Sequence, residues 1–86
     1  MVYRVRIEKQ AVKALEKLER GIQRRISEAI RSLAKDLRPP GSKKMKNRDG
    51  WRIRVGDYRV IYGINDEESV VLVAKIGHRS DVYREG

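Results

Sequence analysis

Apolar and basic positions alternate from the amino terminus, with Tyr3, Val5 and Ile7 set between Val2, Arg4 and Arg6. A period of two predicts a strand with one buried face and one wet or functional face. From Lys9 the period lengthens, and Ala11, Val12, Ala14, Leu15 and Leu18 fall at the spacing of a short amphipathic helix that Gly21 is expected to close. A second helical stripe follows in Ile22, Ile26, Ala29, Ile30, Leu33 and Leu37, stopped by Pro39-Pro40-Gly41. Residues 42–50 place Lys43, Lys44, Lys46 and Arg48 among Gly, Ser, Asn and Asp, the composition of an exposed basic connector. Alternation returns at 51–55 and 58–64 around Gly56-Asp57, a Gly-X pair suited to a two-residue type II′ hairpin turn. Residues 69–76 are apolar on both faces, as in a strand near the middle of a sheet, and Gly77 is expected to break the run before the polar segment 78–83.

This order predicts an α+β domain: an N-terminal strand, a helical hairpin, then a three-stranded antiparallel meander, all in one largely antiparallel sheet. The helices cover one face, and the other stays open. The length of 86 residues suits one domain over 1–86, and no repeat or low-complexity tract divides it.

Charge changes the picture. Lys and Arg total 21 against 12 Asp and Glu, a net +9, so an anionic partner is expected. No apolar stretch approaches a membrane span and the N-terminal alternation is unlike a signal peptide, which places the chain in the cytoplasm with no membrane partner. With no cysteine and one histidine, neither disulfides nor a protein-built metal site is expected, and no cofactor is implied.

If Gly56 and Asp57 are the whole turn, Arg54 lies directly across from Arg59, with Arg52 on the same side and Trp51, Ile53, Val55, Tyr58, Val60, Tyr62 and Ile64 on the other. Opposed like charges destabilise a hairpin. A local rule broken in this way points to function, and an anion held between the guanidinium groups would relieve the repulsion. Arginine's planar fork matches phosphate oxygens, whereas the bland alternative is a solvated sheet face. His78 is a possible acid or base, since imidazole suits proton transfer near neutrality, although a lone loop histidine is more often a surface residue. Tyr83 is either a packing plug or a reactive phenol facing the open side. Lys43, Lys44, Lys46 and Arg48 read as charge that tracks a nucleic-acid backbone. Trp51 reads as core, and Lys75 either lines the open face or snorkels to its edge.

Four segments taken together resemble the RelE branch of the RelE/ParE toxins over essentially the whole chain. They are the early helix with Ala11, Leu15 and Leu18, Trp51-Arg52-Ile53-Arg54-Val55, Asp57-Tyr58-Arg59-Val60-Ile61-Tyr62, and Ile76-Gly77-His78-Arg79-Ser80-Asp81-Val82-Tyr83. The resemblance implies a metal-independent endoribonuclease that cuts messenger RNA in the ribosomal A site. A ribose 2′-hydroxyl attacks the adjacent phosphate, leaving a 2′,3′-cyclic phosphate and a 5′-hydroxyl. It also implies a cognate acidic antitoxin, with operator DNA bound only through the antitoxin complex. Carried over by position, Arg52, Arg54, Arg59, Arg79 and Tyr83 are the catalytic set. Guanidinium groups would stabilise the charge on phosphorus, with Tyr83 as the base, its phenolate favoured by the surrounding arginines. The best-studied members carry lysines where Arg52 and Arg54 stand, so charge is retained without a titrating amine. Two other readings share the charge: a ParE-like inhibitor of DNA gyrase without nuclease chemistry, and a basic nucleic-acid-binding module in which Tyr83 is dispensable.

Overall fold

The computed structural model describes residues 2–46 and 49–80. Strand β1 (Arg4–Ile7) leads into helices α1 (Lys9–Glu16) and α2 (Arg20–Leu33), followed by β2 (Lys43–Lys44), β3 (Trp51–Val55), β4 (Tyr58–Asn65) and β5 (Val70–His78). The strands form one five-stranded sheet in the order β1-β5-β4-β3-β2. Only the β1–β5 pairing is parallel, so the expected α+β architecture with a largely antiparallel sheet is what the chain adopts.

The core lies between the helices and one face of the sheet. Ala11, Ile26, Ile30 and Leu33 meet Ile53, Val60, Tyr62, Val71, Val73 and Ile76, all buried. Helical spacing and strand alternation place all of these together except Ile76, which follows an irregularity in β5, and their removal from water drives the packing. Tyr62 is 1 % exposed, and its hydroxyl donates to the Leu37 carbonyl at 2.8 Å, as a buried phenol requires.

Four expectations need correction. The second helix ends at Leu33, so Leu37 lies beyond it and Pro39-Pro40-Gly41 is not its stop. Gly21 does not close α1, which ends at Glu16; it sits in the first turn of α2. There its amide donates to the capping carboxylate of Glu19 at 3.0 Å, and a Cβ on Gly21 would lie only 3.0 Å from that oxygen. The missing side chain makes room for the cap. The orphan carbonyls at the end of α1 are met from α2 instead, where Gln23 Nε2 donates to the carbonyls of Leu18 at 2.6 Å and Glu16 at 3.2 Å.

The connector over 42–50 is not wholly a loop. Lys43 and Lys44 pair with Arg52 and Trp51 as a short edge strand, and the Met45 amide closes the turn on the Gly50 carbonyl at 2.9 Å. Gly77, finally, does not end β5 but pairs with Arg59 inside it. Here the register contains a shift that periodicity alone does not reveal. Ile61 pairs with Lys75 while the next residue, Tyr62, pairs with Val73, so Ala74 is an extra residue, a β-bulge. The Ala74 carbonyl accepts from Gln10 Nε2 of α1 at 3.0 Å. The bulge reverses the alternation: Val71 and Val73 face the helices before it and Ile76 after it, which sends Lys75 and Gly77 to the face opposite the helices.

Candidate functional site

The hairpin of β3 and β4 sets the site. Gly56 has φ +62° at the first central position, the requirement of the type II′ turn, so the two-residue loop fixes the register with Arg54 across from Arg59. Val55 and Tyr58 close the turn as its hydrogen-bonded pair. Arg54 and Arg59 are therefore the next, non-hydrogen-bonded pair, whose Cα atoms lie about 4.5 Å apart with side chains close.

Two rows of residues cross the face opposite the helices, which is not the open surface expected from sequence, since Arg59 and Ile61 on it are 6 % and 5 % exposed. One runs Arg54, Arg59, Gly77 over β3, β4 and β5. The other runs Lys43, Arg52, Ile61, Lys75 over β2 to β5. Among the described residues, none of the five strands contains an aspartate or glutamate. Arg59 is 6 % exposed and is a buried charged residue; its Nη1 donates to the Tyr58 carbonyl at 3.3 Å. Arg52 is half-buried, while Arg54 and Lys43 are exposed. Between them is a small cavity of about 80 Å³ lined by Gly41, Lys43, Arg52, Ile53, Arg54 and Arg59. That is room for a few waters or one tetrahedral oxyanion. Donors fixed by a sheet cost little to reorganise around such an anion, which is the arrangement that stabilises charge developing on phosphorus.

The structure divides the residues expected from sequence. Arg52, Arg54 and Arg59 come together as expected, and Lys43 joins them through its pairing with Arg52. Lys44 pairs with Trp51 and so alternates to the other face, whereas Lys46 lies exposed in the β2–β3 turn. Arg79 follows β5, and its amide donates to the Asp57 carbonyl at 2.9 Å, which holds it at the hairpin end of the sheet near the Arg54–Arg59 pair. His78 pairs with Tyr58 on the helix-bearing side and meets its ring edge-on at 5.6 Å. It is not part of the arginine face. Trp51 packs against the core with the Arg38 guanidinium 5.1 Å from its ring centroid. Arg48 and Tyr83 lie outside the described residues.

Lys43 and Lys75 are members of this face whose places sequence reasoning left open. The only local sign of β2 is its position after a Pro-Pro-Gly turn, and the bulge that orients Lys75 has no sequence signature beyond a small residue. Among the described residues no group of three or more His, Cys, Asp or Glu side chains is gathered where a cation could be held.

The mixed five-stranded sheet with a helical hairpin on one face is shared with solved RelE toxins, and the family match and relatives make the chain a RelE-like member of the RelE/ParE toxin superfamily. More narrowly, residues 5–83 match the family described as the ParE toxin of type II toxin-antitoxin systems, parDE, and the chain belongs to that family. It is 29 % identical to a RelE-like toxin protein of Escherichia coli over 87 residues, covering 96 % of this chain and 92 % of the relative. Among solved structures it is similar to the archaeal RelE in its complex with RelB from Pyrococcus horikoshii, with a TM-score of 0.81, 38 % identity, and coverage of 92 % of this chain and 97 % of that one. It is also similar to a double arginine-to-alanine mutant of E. coli RelE in the free state, with a TM-score of 0.80, 26 % identity, and coverage of 99 % of this chain and 94 % of that one. The chain is thus a toxin of a type II toxin-antitoxin system.

Proposed function

We propose that this toxin is a ribosome-dependent endoribonuclease that cuts messenger RNA in the A site. The observation that carries the reading is the Arg54–Arg59 pair, set directly across a hairpin beside Arg52 and Lys43 around a cavity of oxyanion size. A pentacoordinate phosphorane, with its charge spread over fixed oxygens, gains most from such a cradle of guanidinium groups.

In the proposed reaction the ribose 2′-oxygen forms a bond to phosphorus as the bond to the 5′-oxygen breaks. The products are a 2′,3′-cyclic phosphate and a 5′-hydroxyl. Arg54, Arg59 and Arg79 hold the phosphate oxygens, and Tyr83 takes the 2′-proton. Arg52 or Arg79 protonates the leaving oxygen, a task at which arginine is a reluctant donor. Lys43 and the neighbouring Lys44, Lys46 and Arg48 track the flanking backbone.

The partner that restrains the toxin is proposed to be an acidic antitoxin, which the net charge of +9 favours and which the RelE–RelB complexes of similar proteins support. Operator DNA is reached through that complex. The reading places the toxin in the cytoplasm with the ribosome. No helix of the described residues is long and apolar enough to cross a membrane.

The test is primer-extension mapping of a defined messenger on programmed ribosomes, with Arg59→Ala alongside. Cleavage within the A-site codon that disappears in the variant supports the nuclease. An inert unmodified protein that blocks gyrase supercoiling in a parallel assay would establish the gyrase-inhibitor reading, which the ParE designation of the family keeps in view. Binding of RNA with neither activity would leave the simple basic module.

A further inference from the structure

His78 is the one histidine of the chain, and neither the phosphate clamp nor the core accounts for it. The β-bulge at Ala74 sends it to the helix-bearing side of the sheet, opposite Tyr58, with ring centroids 5.6 Å apart and planes at 84°. The sheet therefore separates its imidazole from a phosphate held on the arginine face.

Its hydrogen bonds are local. Nδ1 lies 3.4 Å from the Ser80 amide nitrogen and 3.1 Å from Ser80 Oγ. A backbone amide can only donate, so Nδ1 must accept and the ring proton belongs on Nε2. Ser80 stands two residues after His78, and residues 79 and 80 are helical. An acceptor side chain bonded to the amide two positions on is the geometry of a helix N-cap. Between them, Arg79 donates its own amide to the Asp57 carbonyl at 2.9 Å. The Arg79 backbone is thus pinned on its N-terminal side to the hairpin turn and on its C-terminal side, through Ser80, to the imidazole.

The geometry points to His78 as a positioning residue: its imidazole caps the Arg79–Ser80 segment, which the Asp57 carbonyl holds at the hairpin end of the sheet. The role rests on the nuclease reading only for its consequence in catalysis; the cap stands or falls by itself. Asparagine is a good N-cap residue with no capacity as a base, so His78→Asn separates capping from proton transfer.

The experiment compares unmodified protein, His78→Ala and His78→Asn in two assays. One is hydrogen exchange of the Ser80 amide, with the imidazole tautomer read from its nitrogen resonances. The other measures kcat and KM for cleavage on programmed ribosomes. The expected result is an imidazole Nδ1 that accepts from the Ser80 amide and Ser80 protection reduced roughly five- to tenfold in His78→Ala, with a similar loss in kcat at unchanged KM and both restored in His78→Asn. Ser80 exchange unaffected by His78→Ala would overturn the cap. A His78→Asn protein with Ser80 protected yet no cleavage would overturn the positioning role and make the imidazole chemical. If the unmodified protein cuts nothing, the nuclease reading fails while the exchange assay still decides the cap.

Discussion

The two faces of this sheet are built from the same strands and obey opposite rules. On the helix side, Ile53, Val60, Tyr62, Val71, Val73 and Ile76 pack against Ile26, Ile30 and Leu33, and each choice of residue lowers the free energy of the fold. On the other side, Arg54 faces Arg59 and Lys43 faces Arg52, cross-strand pairings of like charge that are unfavourable in themselves. The apolar face supports the charged one, because a rigid sheet is what keeps guanidinium groups close together before any anion arrives.

The largest effect that would sharpen this comparison comes from the core. Ile30, 2 % exposed, is expected to cost about 2–5 kcal/mol when changed to alanine, read as a fall in the urea midpoint at unchanged slope. Next is Arg59→Met. Cleavage on programmed ribosomes should drop about 10²–10³-fold, the loss expected from removing a fixed donor to a charged transition state. The methionine keeps the apolar volume of the buried stem, so the stability loss should stay below that of Ile30→Ala. A stability loss as large as that of Ile30→Ala would break the contrast and make Arg59 structural.

Tyr62→Phe is a smaller perturbation. It leaves the Leu37 carbonyl without its 2.8 Å donor and should cost about 1 kcal/mol. Burial holds the Tyr62 phenol above its ordinary value, so the fold favours the neutral form. That contribution is fully present below about pH 10, the unfolded value, and is lost as pH rises through the raised folded-state value. Urea titrations above about pH 10 should therefore show stability falling in the unmodified protein and a shallower fall in Tyr62→Phe. The smallest effect is expected from Lys43→Gln, which leaves the fold alone. It should weaken binding to single-stranded RNA a few-fold and reduce the slope of log affinity against log salt by about 0.7, one fewer phosphate contact.

Much of this was legible in the residues. Period-two alternation located β1, β3 and β4, the 3.6-residue stripe located α2, and Gly56-Asp57 fixed the one register on which the Arg54–Arg59 pair depends. A two-residue turn leaves the pairing no freedom, so a long-range fact became a local one. The boundary between α1 and α2 was not legible, because a glycine after a helical stripe serves equally as a stop signal and as room for the next helix's cap. Nor was β2, whose two lysines carry no alternation and form a strand only because β3 presents an edge to pair with.

Sequence by itself determined the composition of each element, the apolar face that each would bury, and the opposition of two arginines, since these follow from local periodicity and turn chemistry. Only the tertiary structure decided which further side chains share a face with that pair. The bulge at Ala74 gave Lys75 and Gly77 to the arginine side and His78 to the other, and the docking of Lys43 on β3 completed the basic row. A one-residue slip reverses every later side chain in a strand, and its place is set by contacts such as Gln10 on the Ala74 carbonyl, which join residues distant in the chain.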